Sequence, residues 1–127
     1  MGIARFMVPG EMEPVSHYCH AVRAGRHIWL SGMVGVAADG SIPNNTAAQF
    51  DIALKTIDNC LRHAGGLPNQ IIKVQVFMTD IKERELINPA RIEYFGDNRP
   101  ASTLVEVSAL VDPRMKVEIE AVAYLNA

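Results

Sequence analysis

The stretch KVEIEAVAY, Lys116 to Tyr124, constrains the fold more than any other. Val117, Ile119, Ala121 and Ala123 alternate with Lys116, Glu118, Glu120, Val122 and Tyr124. That is the two-residue period of a strand with one buried face. The other face carries two carboxylates two positions apart. Periodicity alone fits both as solvated or salt-bridged surface charges, and it leaves room for one of them to work as an acid or base. Glu106, between Val105 and Val107 in a second apolar-rich strand, raises the same question.

The other elements follow from local patterns. Residues 3–8 suit a short first strand. From Tyr18 the chain reads as a hairpin, with strands over 18–23 and 27–33 and a turn at Ala24-Gly25. Phe50, Ala53, Leu54, Ile57, Cys60, Leu61 and Ala64 repeat at three and four residues, a helical stripe. Asn44, Asn45 or Thr46 suits its N-cap, and Gly65-Gly66 with Pro68 ends it. Residues 71–78 alternate as a strand, with Ile72, Val74, Val76 and Met78 on one side. A second helix is expected over 82–96, broken or late-starting, with Asn88 as N-cap and Pro89 at the first helical position. Strands over 103–110 and 115–124 flank a turn at Asp112-Pro113. The order β-β-β-α-β-α-β-β predicts an α+β fold with about six strands in a mixed sheet and two helices on one face. The second face of such a sheet must meet water or another subunit.

Composition narrows the function. At 127 residues the chain suits one domain, 1–127, with a core of its own. Net charge is −2, so no global basic field invites nucleic acid or an anionic membrane. No apolar stretch approaches the ~20 residues that span a bilayer. No secretory pattern opens the chain, and two cysteines, Cys19 and Cys60, make no framework, so reduced thiols in a cytoplasmic protein are expected. His17 and His20 are the only close histidine pair and lack an acidic partner at metal-ligand spacing, so no metal site is expected. His63 suits a helix C-terminus, and His27 begins a strand. There is no nucleophile elbow, phosphate loop or dinucleotide fingerprint.

RPASTLVEVSALVDPRMKVEIEAVA, residues 99–123, resembles the C-terminal signature of the YjgF family, also called the reactive intermediate deaminase (Rid) family. Members end in P-A-R-x-x-V-E-V, a short linker and V-x-I-E-x-E-A-x-A. SHYCHAV resembles the family's first hairpin, LSGMVG its S-G-Q-x-P strand, and AGGLPNQIIKVQVFMTDI its middle helix-strand passage. The likeness runs along nearly the whole chain. It implies a chorismate-mutase-like fold, a homotrimer with sites in clefts between subunits, and hydrolysis of enamines or imines to a keto compound and ammonia without metal or organic cofactor.

Carried over by position, the resemblance makes Glu118 the water-handling acid and Tyr18 a cleft residue. It places Ser31 and Gly32 at the family's Ser-Gly, and Asn88 at its Asn. The family's carboxylate-holding Arg falls on Ser102, with Thr103 beside it. A serine hydroxyl cannot replace a guanidinium charge. Another cation is therefore expected to hold the substrate acid, with Arg99, His20, Arg23 and Arg5 as candidates. The PVSHYCHAVRAG opening and the FGDNRPASTLVEVSALVDP segment look more like members of aromatic-degradation pathways, including 2-aminomuconate deaminase, than like the family's housekeeping branch. The alternative is a member that binds a small molecule, as sensor or chaperone, without turnover. A ribonuclease role is disfavoured by the charge and the lack of interleaved aromatic and basic residues.

Overall fold

The computed structural model describes residues 2–126. Strands β1 (Ile3–Phe6), β2 (Ala21–Ala24), β3 (His27–Val34), β4 (Ile71–Met78), β5 (Ala101–Glu106) and β6 (Val117–Tyr124) form one sheet, ordered β1-β2-β3-β6-β4-β5. All neighbours are antiparallel except β4 and β5. Helices α1 (Thr46–His63) and α2 (Asn88–Phe95) complete the expected order.

The last strand is inserted at the centre, between β3 and β4. Its alternation is realised residue by residue: Val117, Ile119, Ala121 and Ala123 are buried, whereas Glu118, Glu120 and Val122 are half-buried on the opposite face. The apolar row packs under α1, whose stripe of Phe50, Ala53, Leu54, Ile57, Cys60 and Leu61 is buried. Each large side chain in that layer contributes about 1.5–3 kcal/mol by leaving water. Asn45 is the N-cap, its side chain accepting from the Ala48 N–H at 2.8 Å.

Three local expectations are corrected. Ile72 is 47% exposed and Ile71 is buried, because the β4–β6 register slips between Ile71 and Lys73 and turns the first residues of β4 over. A 3-10 segment, Ile81–Ile87, precedes α2 and is capped by Asp80. It runs straight into the helix, so Asn88 is the first helical residue and not its cap, and Pro89 falls one position later. The Tyr18–Cys19 segment lies outside β2 and is irregular, tied to β3 where Cys19 O accepts from Ser31 Oγ.

One buried polar side chain fixes where β6 begins. Gln49, fully buried on α1, donates to Pro43 O (2.7 Å) and Arg114 O (2.9 Å) and accepts from the Lys116 N–H (2.8 Å). A β-carbon on Gly35 would overlap the Gln49 backbone, so the strand end must approach without a side chain. Lys116 is held two residues before Glu118.

The second sheet face is uncovered. It presents Val22, Trp29, Val122, Phe77 and Val105, with Glu120, Gln75 and Thr103 among them. Trp29 is 44% and Tyr124 38% exposed, and His27 contacts both rings, stacked on Trp29 and edge-on to Tyr124. Among the described residues no helix is long and apolar enough to cross a membrane.

Candidate active site

The pairing of β3 with β6 slips beside Glu118. Leu30 pairs with Ala121 and Met33 with Ile119, so three steps on β3 span two on β6. The extra residue is a β-bulge at Ser31-Gly32, a device that re-aims side chains at sites. Into the space above Gly32 comes the Glu118 carboxylate. A β-carbon at Gly32 would overlap Glu118 Oε2, so glycine is required there for lack of room.

Glu118 lines a cavity of about 120 Å³ with Tyr18, His20, Gly32, Met33 and Val34, under a strap formed by Glu11–Val15. Among the described residues no hydrogen bond or ion pair engages the Glu118 carboxylate. Burial, and secondarily the charge of Glu120, hold its pKa above the ordinary carboxylate value of 4.5. A partly desolvated, unpartnered carboxylate is suited to hold a water and take its proton.

The Glu11–Val15 strap over this cavity is fastened by one side chain from the SHYCH run, His20. His20 is 5% exposed; its Nδ1 accepts from the Val8 N–H at 2.8 Å, which places the proton on Nε2, donated to Met12 O at 2.8 Å. Both ring nitrogens are thus engaged by backbone, and the ring is a neutral clasp at the cavity wall. Ser31 Oγ donates to Cys19 O (2.6 Å) and its N–H to His20 O (3.0 Å), which fixes the backbone beside Tyr18. Tyr18 itself is 45% exposed at the cavity mouth.

The remaining predicted residues lie elsewhere. Asn88, Arg99 and Pro100 line a groove of about 470 Å³ between α2 and the start of β5. Ser102 pairs with Val74, which pairs with Ala121, so it shares the helix-covered side of the sheet. Glu118 pairs with Phe77, and Phe77 with Val105, on the uncovered side. Two strand spacings and three residues separate Ser102 from Glu118, roughly 14 Å between backbones, with side chains on opposite faces. Thr103 is on the uncovered face, accepting from Lys73 Nζ at 3.0 Å. Arg23 is tied to Ala64 O at 3.1 Å at the end of α1. One chain therefore gathers these residues in two separate places, the Glu118 cavity and the Asn88 groove.

Two elements escaped sequence reasoning. The Glu11–Val15 strap has no periodicity to mark it. Arg91, which lines the Asn88 groove and donates from Nη2 to Ser102 Oγ at 3.0 Å, sits one helical turn after Asn88. Its i, i+3 spacing from a singled-out residue was the available signal.

Comparisons with known proteins agree with this architecture. A family model described as Endoribonuclease L-PSP matches residues 9–125. The 3-aminoacrylate deaminase RutC of Acinetobacter baylyi is 30% identical, over 91% of this chain and 93% of its own. The human 2-iminobutanoate/2-iminopropanoate deaminase is 32% identical, over 95% and 87%. A crystal structure from Mycobacterium tuberculosis, of a member of the YjgF/YER057c/UK114 family, superposes with a TM-score of 0.85 at 31% identity, covering 98% of this chain and 100% of that one. On the family match and these identities, the chain belongs to the endoribonuclease L-PSP family, the YjgF or Rid family.

Proposed function

We propose that this protein hydrolyses a reactive, carboxylate-bearing enamine or imine to a keto acid and ammonia, in clefts between the subunits of a homotrimer. The observation that carries this reading is Glu118: half-buried, unpartnered among the described residues, raised in pKa, and held over the Ser31-Gly32 bulge at a small cavity. The enamine tautomerises to the imine. Glu118 takes a proton from water as the oxygen bonds to the imine carbon, and passes it to the nitrogen that receives the C=N π pair, giving the carbinolamine. Glu118 then takes the carbinolamine hydroxyl proton as C–O becomes C=O and the C–N bond breaks, and hands it to the leaving nitrogen, so ammonia departs and the carboxylate is restored. Water is the only co-reactant.

The trimer is supported by the separation of these two places and by the uncovered face. The Glu118 cavity is lined by Glu11, Glu13 and Glu118, with His20 held neutral, so it offers no cation for a substrate acid. The groove at Asn88 carries Arg91 and Arg99. A second copy that brings its groove to this cavity completes the site, with Tyr18, Ser31 and Gly32 on one side and Asn88, Arg99 and Ser102 on the other. The apolar part of the uncovered face, with Trp29, Phe77 and Val105, suits burial between copies. Glu120, displaced from Glu118 by roughly 6–7 Å, then pairs with a basic residue of a neighbouring copy.

Both named relatives act on small acids, and deamination of that general kind is the broader proposal. The finer one is 2-aminomuconate, an extended dicarboxylate. Two arginines in one groove suit a dianion better than a monoacid. The word endoribonuclease in the family description finds no counterpart at the cavity, whose charged lining is acidic and unsuited to phosphates.

The test is a coupled ammonia assay with enamines and imines generated in situ, including 2-aminomuconate. Ammonia release faster than spontaneous decay is expected. Specific ligand binding with no ammonia from any of them would instead make the protein a non-catalytic binder.

A further inference from the structure

Arg91 is a half-buried guanidinium on α2, and burial pulls its pKa below the ordinary arginine value. Cations removed from water are ordinarily paired with acids. Among the described residues Arg91 has no carboxylate within ion-pair distance, although Asp97 lines the same groove. Its one side-chain hydrogen bond runs from Nη2 to Ser102 Oγ, at 3.0 Å. A guanidinium has five N–H donors in a planar fork, and serine engages one. The rest adjoin an open groove of about 470 Å³ that Asn88 and Arg99 share. Ser102 Oγ, accepting from the arginine, keeps its own O–H free to donate.

We propose that Arg91 is the residue that binds the substrate carboxylate, by a two-pronged contact oriented through Ser102. Planar acids match the fork, so a free carboxylate is selected over its ester or amide. This rests on the deaminase reading above for the identity of the ligand, while the binding step is measurable without turnover. Arg91 and Ser102 belong to one copy and Glu118 to the other, so the site is incomplete in a single chain.

The experiment is isothermal titration calorimetry of the purified full chain with 2-oxobutanoate, the keto acid left by hydrolysis of 2-iminobutanoate, and with its methyl ester. Wild type, R91M and R91K are compared, with the ammonia assay run alongside. Wild type is expected to favour the acid over the ester by tenfold or more. R91M, which keeps an apolar stem, loses that preference, so acid and ester bind alike. R91K, a point charge without the fork, falls between. A merely structural role would weaken both ligands together and leave their ratio standing, and that result overturns the proposal. So does equal binding of acid and ester by wild type. If the acid preference depends on Arg91 but wild type releases no ammonia from any substrate, the deaminase reading fails and the carboxylate site stands.

Discussion

Replacing Gly32 with alanine places a β-carbon where Glu118 Oε2 now lies, 2.9 Å from Glu118 Cδ and 3.2 Å from its Cγ. The three nearest atoms all belong to that one side chain, and none is backbone. Gly32 is not among the glycines with positive φ, so alanine fits the backbone conformation. The conflict is therefore resolved by the glutamate and not by the fold. Restoring ordinary van der Waals separation moves the carboxylate by about 1 Å or more. An off-rotamer glutamate costs about 0.5–1.5 kcal/mol, so the loss of stability should stay in that range. Misplacing a catalytic group by 1 Å costs on the order of 10²-fold in rate, about 2.7 kcal/mol in activation free energy. Gly32→Ala should thus melt within a few degrees of wild type and lose about a hundredfold in kcat/KM for ammonia release. Turnover within threefold of wild type would refute the claim that Glu118 acts from this position. A stability loss above about 3 kcal/mol would show instead that the fold itself needs the glycine.

Other expectations follow from the same geometry. Glu120→Gln removes the like charge that helps raise the Glu118 pKa, so the acid limb of the kcat/KM–pH profile moves to lower pH; burial, the larger cause, keeps it above 4.5. Because the folded-state pKa of Glu118 is raised, its proton is bound more tightly in the folded chain. Its contribution to stability is fullest below the ordinary value of 4.5 and is lost as pH rises through the raised one. Glu118→Gln should therefore melt at or above the wild-type temperature at pH 7, with the difference shrinking toward pH 4, as paired thermal melts would show. Gln49→Leu leaves Pro43 O, Arg114 O and the Lys116 N–H without their partner and should cost about 2–4 kcal/mol in urea denaturation.

The sequence revealed the elements well and the site only in part. β6 was legible because a central antiparallel strand covered on one side must alternate, and Val117 to Tyr124 does so without exception. α1 was legible because its stripe, Asn45 cap and terminal glycines agree. Ile72 misled because a register slip is decided by the partner strand, which local pattern does not contain. At the site, resemblance separated Glu118 from Glu120, which periodicity alone could not do. What it could not supply was three-dimensional company. His20, a candidate cation by type, is held neutral by two backbone groups from residues 8 and 12. Arg91 was invisible as a partner of Ser102 because eleven positions separate them and a helix-to-strand return brings them together.

The most direct measurement is ammonia release by Glu118→Gln in an assembly whose size and melting temperature match wild type. Glutamine keeps the shape and removes the base, so a fall of about 10²- to 10⁴-fold in kcat is predicted, the range ordinarily supplied by a positioned general base. Full turnover by an intact Glu118→Gln assembly would contradict the central claim.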